Sequence, residues 1–463
     1  MPLIVFDNTY ARDMQGFYEP CLPETARAPQ LLFFNRGLAE ELGLNLEGSD
    51  LAAVFSGNAL PQGAQPIAQA YAGHQFGHFN PRMGDGRALL IGEVVDRNGQ
   101  RRDIALKGSG RTPFSRSGDG KAAVGPMLRE VLIGEAMRAL GIPATRALAV
   151  VATGEPVFRE QALPGAVLTR VAASHLRVGT FQYVAAHGTE PQMQQLLDYT
   201  IARHYPELKE ADNRALAFLR AVAERQAQLI ARWMHVGFIH GVMNTDNMAI
   251  SGESIDFGPC AFMEAYDPKA VFSSIDHDGR YAFDAQPHIA LWNLARLAET
   301  LLPLMADNEG EAIERAMSVL DDFPLRFHAH WLDGVRAKLG LRDASATSHH
   351  SDAALAESWL DLLHAQQVDF TLAWRRLADA AEGNEAPLRQ LFPGQPGLDG
   401  WLQRWRVRCA AEDKDNGDAA TERAAAMRRA NPWIIPRNHL VEAALSAASQ
   451  QGNLSPFEAL LNA

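Results

Sequence analysis

The sequence is short of the features that define several broad protein classes. It has three cysteines, Cys21, Cys260 and Cys409, at spacings that match no metal-ligand set, so a disulfide scaffold is excluded and a reducing compartment expected. No apolar run reaches the roughly 20 residues of a membrane-spanning helix. The N-terminus, MPLIVFDNTYARD, lacks the basic and long apolar segments of a secretory signal. Positive charge is also short. The 43 Lys and Arg stand against 55 Asp and Glu, a net −12, which disfavours a nucleic-acid groove but leaves room for a local basic pocket. No repeats occur, and the phosphate-loop template fails because Gly120-Lys121 is followed by Ala122 with no glycine five residues before Gly120. These absences predict a cytoplasmic protein with neither membrane nor nucleic acid as partner. At 463 residues, 47% apolar and 21% charged, the chain has length for two or three domain-sized units with a sizeable core.

What is present centres on His240 to Gly258, HGVMNTDNMAISGESIDFG. Met248–Ser251 and Ser254–Phe257 read as the arms of a short hairpin, with Gly252-Glu253 as a two-residue type II′ turn. Its open end would gather Asn244, Asp246 and Asn247 opposite Asp256, the first residue of a D-F-G triplet. In kinases a catalytic-loop Asn and the D-F-G Asp hold Mg²⁺ against ATP phosphates. His240 and Asn247 lie seven apart, as in H-x-D-x-x-x-x-N, so Asn247 and Asp256 are the expected metal ligands. The Asp slot of that pattern, the kinase general base, is filled by Val242. A kinase-like metal site without the kinase base calls for a different chemistry.

Upstream, Asn35 to Leu44 reads as a short helix ending near Gly43. Gly84-Asp85-Gly86-Arg87 is a glycine turn entering a strand, Ala88 to Val95; Asn98-Gly99 suits a type I′ turn, and the returning strand ends on Lys107 within I-A-L-K. Val124 to Leu140 carries helix signals, with Pro126 in the first turn and Gly141 at the cap. Glu130 falls on its apolar side and is the expected partner of Lys107. The intervening loop ends in Asp119-Gly120-Lys121, placed to receive an anion before that helix. A second strand pair is expected at Arg146–Val151 and Val157–Glu160. Arg170 and Arg177, seven residues apart, can point into one cleft as an electrostatic clamp.

From about residue 190 the pattern is helical. Leu216, Leu219, Ala223, Ala227, Ile230 and Met234 mark one buried face, ended by Gly237, that delivers the chain into the His240 loop. Two stretches imitate metal sites without completing one. His349-His350 has no further ligands nearby, and the 412–417 run fails the calcium-loop template because Lys414 occupies its third position.

The motifs AYAGHQFGHF, GDGRALLIGEV, KGSGRTPFSRSGDGKA, LREVLIGEAM, HGVMNTDNM and IDFGP together closely resemble the selenoprotein O (bacterial YdiU) family over most of the chain. The resemblance implies an α+β, protein-kinase-like two-lobed fold with a mixed α/β N-lobe and a mainly helical C-lobe. The expected division is an extension over 1–75, the N-lobe over 76–180 and the C-lobe over 181–463. It implies transfer of AMP, in some members UMP, to protein Ser, Thr or Tyr hydroxyls, using ATP or UTP with Mg²⁺ or Mn²⁺. The nucleotide is held in a flipped orientation with its γ-phosphate drawn into the N-lobe. Carried over residue by residue, it implies nucleotide contacts from Gly84, Gly86, Arg87, Lys107, Asp119, Gly120, Arg170, Arg177 and Asp256. Asn247 and Asp256 would ligate the metal, Asp246 would accept the proton, and Glu130 would pair with Lys107. Many members carry a selenocysteine or cysteine near the C-terminus; here none follows Cys409, which argues against redox control through such a residue. The rival readings are a small-molecule or protein kinase, disfavoured by Val242, and a non-catalytic nucleotide-binding scaffold, disfavoured by intact Lys107, Asn247 and Asp256.

Overall fold

The computed structural model describes residues 4–463 apart from 46, 343–345, 393, 395–396 and 414–418, and only the backbone of 346–350. The side chains of His349 and His350, and most of the 412–417 run, therefore lie outside the described residues.

The strands are β1 (Tyr18–Pro20), β2 (Gln30–Phe34), β3 (Ile67–Gln69), β4 (Gly73–Gln75), β5 (His78–Asn80), β6 (Ala88–Val95), β7 (Arg101–Lys107), β8 (Ala122–Ala123), β9 (Arg146–Phe158), β10 (Ala162–Ala172), β11 (Phe238–Ile239) and β12 (Ala261–Phe262). One antiparallel sheet runs β1-β3-β6-β7-β10-β9-β2, with β8 paired to β10. Three of its strands come from within residues 1–75, so the sheet does not break at the boundary expected there. Register then builds the site. Arg170 on β10 lies opposite Ala105 on β7, so strand alternation sets Asp103, Ala105, Lys107 and Arg170 on one face. Ile104 and Leu106 turn the other way, into apolar clusters with Val94 and Leu148, and with Leu89 and Phe114.

Several local expectations hold. β6 spans Ala88–Val95, and the Val124–Ala139 helix ends at Gly141, whose φ is +71°. The Arg36–Glu41 helix is capped by Asn35, whose side chain accepts from the Leu38 N–H. Others need correction. The β6–β7 turn is not type I′, since Gly99 has positive φ and Asn98 does not; the Asp96 carboxylate instead accepts from the N–H groups of Asn98 and Gln100. Val157 does not begin a returning strand but continues β9, because the chain bulges at Gly154 (φ +74°) and pairing to β10 resumes from Pro156 with a shifted register. The arms of the 248–257 stretch do not pair with each other. Ala249 bridges to Arg177 and Ser254 to Ala144, and the tight turn is Ala249–Gly252, closed by the Gly252 N–H on the Ala249 carbonyl.

Beyond residue 178 the chain is mainly helical. In the Arg214–Val236 helix Leu219, Ala223, Ala227 and Ile230 are fully buried, Leu216 and Met234 partly so. It packs against the Gln286–Met305 and Glu309–Leu339 helices in the largest core. A second core gathers Trp359, Trp374, Trp401 and Trp405. The last two helices, Asn438–Gln451 and Ser455–Leu461, leave this region and pack on the Val124–Ala139 helix through Val441, Ala444, Leu445 and Phe457. No helix among the described residues is long and apolar enough to cross a membrane.

Candidate active site

A cavity of about 530 Å³ opens where the sheet meets the His240 loop. Of the residues singled out from sequence, Gly86, Arg87, Lys107, Glu130, Arg170, Arg177, Asp246, Asn247 and Asp256 line it. Gly84, Asp119 and Gly120 are not in its wall. A Cβ on Gly84 would sit 2.3 Å from the Phe114 ring, and one on Gly120 1.9 Å from the Gly110 carbonyl, so these glycines allow close packing of the 108–121 loop. Asp119 is held by Arg159 at 2.8 Å and accepts from the Lys121 N–H, contacts that pull its carboxyl down to about 2. Lys121 lies nearest Glu155 and Glu24.

Asp256 is the hub. Its Oδ1 accepts from Lys107 Nζ at 2.5 Å and from Arg170 Nη1 at 2.7 Å, and Arg177 lies 3.7 Å from Oδ2. Burial raises its pKa, but Lys107, then Arg170 and Arg177, outweigh that and hold it well below the usual carboxylate range. Its φ of +65° is an uncommon conformation for a residue with a Cβ. Lys107 also donates to Glu130 at 2.6 Å, so one ammonium joins the helix to the D-F-G turn. Arg177 is fixed three ways: Nη1 donates to the Asp246 carbonyl at 2.8 Å, Nε to the His175 carbonyl at 3.2 Å, and its guanidinium lies 4.5 Å over the Tyr71 ring.

The loop is shaped from within. His240 Nε2 bonds the Ile255 carbonyl at 2.9 Å, tying its start to the D-F-G turn. Thr245–Asn247 forms one 3₁₀ turn, and Asn247 Nδ2 donates to the Val242 carbonyl, which leaves its amide oxygen for a ligand. Asp246 is buried, and its Oδ1 has no hydrogen-bond partner among the described residues. Burial lifts its pKa to about 6 against the pull of Arg177. Asp85, in the same wall, is raised to about 6 for the same reason.

Sequence reasoning gave no role to the β4–β5 hairpin, yet this element locks the loop. The His74 N–H donates to Thr245 Oγ1 at 2.7 Å and the Phe76 N–H to Asn244 Oδ1 at 3.0 Å, while Tyr281 donates to the same oxygen at 2.6 Å. Asn244, expected in the polar cluster of the loop, is in the wall, whereas Tyr71, Gln75, Phe76 and Asp85 carry no site role in the sequence reading. The signal was AYAGHQFGHF, dense in Gly, His and aromatics but with no spacing rule attached to a chemistry. Among the described residues there is no cluster of three or more His, Cys, Asp or Glu able to hold a metal.

Comparison with known proteins places the chain in a family. Residues 3–463 match the family model described as protein adenylyltransferase SelO. The chain is 62% identical over 454 residues to a protein nucleotidyltransferase YdiU of Chromobacterium violaceum, covering 97% of this chain and 93% of the relative. It is 58% identical over 460 residues to the Rhizobium etli protein of the same name (98% and 90%) and 59% identical over 461 residues to that of Cereibacter sphaeroides (99% and 92%). The chain belongs to the protein adenylyltransferase SelO family, and its class of chemistry is nucleotidyl transfer.

Proposed function

We propose that this chain moves AMP from ATP, or UMP from UTP, onto Ser, Thr or Tyr hydroxyls of proteins and releases pyrophosphate. The two regions correspond, on this reading, to the lobes of a protein-kinase-like fold, the sheet with the Val124–Ala139 helix as N-lobe and the helical region as C-lobe. The observation that carries the proposal is a division of charge across one cavity. Lys107, Arg170 and Arg87 line it from the sheet and Arg177 from the start of the Val178–His187 helix, whereas the His240 loop offers Val242 in the kinase-base position and a buried Asp246 oxygen without a partner among the described residues.

In the proposed reaction the acceptor oxygen bonds to the α-phosphorus and the bond from that phosphorus to the bridging β-oxygen breaks. The electron pair leaves with pyrophosphate, and the hydroxyl proton passes to the Asp246 carboxylate. Arg170 and Arg177 hold the β- and γ-phosphates inward, so their charge counts most as the leaving group forms. Glu130 keeps Lys107 directed at the same phosphates. The donors also suit a hard divalent cation: Asp256 offers a carboxylate, Asn247 an amide oxygen, and Asp246 Oδ1 beside them has no partner among the described residues. Mg²⁺ or Mn²⁺ bound there would supply Lewis-acid neutralisation of phosphate charge.

ATP labelled at the α- or the γ-position, offered with a mixture of acceptor proteins, tests the reaction. Label enters protein from the α-position only, pyrophosphate appears, and Arg170→Ala lowers incorporation strongly. Incorporation from the γ-position with ADP as product would make the protein a kinase.

A further inference from the structure

Arg170 and Arg177 leave different elements, the end of β10 and the start of the Val178–His187 helix, yet both reach Asp256. Besides Asp256, one further residue bonds both. The His175 ring accepts at Nε2 from Arg170 Nε at 3.1 Å, and the His175 carbonyl accepts from Arg177 Nε at 3.2 Å. Asp103 holds His175 in turn, its Oδ2 receiving the backbone N–H and ring Nδ1, each at 2.9 Å. Arg203 donates to the other Asp103 oxygen at 2.5 Å and also pairs with Glu93. All four of these supporting side chains are buried.

We infer that His175 is the positioning residue of the phosphate clamp, setting both arginines from one point through its ring and its carbonyl. The inference rests on the proposed reaction for the meaning of the clamp, but its geometry is independent of it. Arginine donates only, so Nε2 must be the bare nitrogen and Nδ1 must carry the proton given to Asp103. The ring must then stay neutral. Burial, assisted by the Arg170 and Arg177 charges against Asp103, lowers its pKa to about 4, which agrees with that requirement. A protonated ring would turn a second donor toward Arg170 Nε and break the contact. The arginines would keep their charge but lose the fixed direction that a clamp needs.

The two amide substitutions separate positioning from mere support. The end of a glutamine side chain overlays Nε2 and can accept from Arg170, while giving up the ring bond to Asp103. The asparagine amide overlays Nδ1 and keeps the Asp103 bond, while leaving Arg170 Nε without an acceptor. Transfer from α-labelled ATP and calorimetric binding of inorganic pyrophosphate are measured for both variants, with thermal melting alongside. His175→Gln retains kcat within about threefold of the parent. His175→Asn loses tenfold or more in kcat and at least fivefold in pyrophosphate affinity, yet melts no lower than His175→Gln. In an Arg170→Ala background His175→Asn produces little further loss, because the clamp it serves is already broken. Parental kcat and pyrophosphate affinity in His175→Asn, or activity that simply follows melting temperature across both variants, would overturn the inference. Pyrophosphate binding that obeys the Gln–Asn order in a protein showing no α-label transfer would uphold the clamp and refute the proposed reaction.

Discussion

Gly73→Ala tests the role of Asp246 without altering Asp246. A Cβ on Gly73 would lie 2.7 Å from Asp246 Oδ1, closer than real Cβ atoms come to another heavy atom, and 3.1 Å from both its Cβ and Cγ. Gly73 is not among the positive-φ residues, so alanine suits its backbone, and its pairing with Asn80 uses main-chain atoms alone. The strain therefore falls on the carboxylate, which must move by several tenths of an ångström or turn its Oδ1. Displacement of a reacting group by about 1 Å can lower a rate by ~100-fold. A shift of part of that size should reduce kcat by roughly 10- to 100-fold, about 1.4–2.7 kcal/mol of barrier. Initial rates of α-label incorporation at saturating ATP read this directly, with circular-dichroism melting and ATP affinity as controls that stay near parental values. Asp246→Asn, expected to lower kcat by ~10²–10⁴-fold, should add less in the Gly73→Ala background than alone. A folded Gly73→Ala protein turning over within twofold of the parent would refute the claim that this carboxylate must sit where it does.

Asp256→Ala removes the acceptor shared by Lys107 and Arg170, leaving Arg170 without a carboxylate among the described residues. Transfer should fall at least a hundredfold, ~3 kcal/mol, and the melting temperature should drop as well. Near-normal turnover with Mg²⁺ or Mn²⁺ supplied would contradict the assignment. His235 provides a stability test remote from the site. Burial and the Lys338 ammonium push its pKa from 6.5 down to about 3, so the folded state resists protonation. That penalty is absent above pH 6.5, grows as pH falls, and levels off near pH 3, where both states are protonated. At pH 5 it is about 2 kcal/mol. His235→Phe, which keeps a ring but no titrating nitrogen, should lose correspondingly less stability between pH 7 and pH 5 in urea unfolding; identical losses would count against it.

Legibility in the sequence followed the range of the interaction. Lys107 with Glu130 could be read because a strand end and a helix face each have a period, and the two periods face each other over a short separation. Asn247 and Asp256 could be brought to one cavity because kinase motifs fix their spacing. The 248–257 arms were misassigned because an apolar run states that a segment is buried, not which neighbour pairs with it; Arg177 and Ala144, far off in sequence, supplied the partners. Val157 was misassigned because Gly154 punctuates a strand as readily as it ends one. Asp119 and Gly120 are expected at an anion site from their place before a helix and from the family resemblance; in the fold Asp119 pairs with Arg159. The β4–β5 hairpin and His175 were beyond sequence reasoning for one physical reason: each acts through groups that meet it only after the sheet has closed.

On the proposed reading, the charge arrangement explains how a chain of net −12 can present a polyphosphate site. Lys107, Arg170 and Arg177 are nearly buried, at 6%, 3% and 3% side-chain exposure, and converge on the single carboxylate of Asp256. Buried cations need counter-charge, and Asp256 supplies it at the mouth of the cluster, where it is itself 23% exposed. A triphosphate entering the cavity brings more negative charge than one carboxylate and can take over Lys107, Arg170 and Arg177 without their moving far. Asp256 would then exchange ammonium and guanidinium partners for a divalent cation. The cations are thus placed before the substrate arrives, by Glu130 on one side and His175 on the other. Little reorganisation is left for the reaction itself, which is the condition under which fixed charge lowers a barrier most.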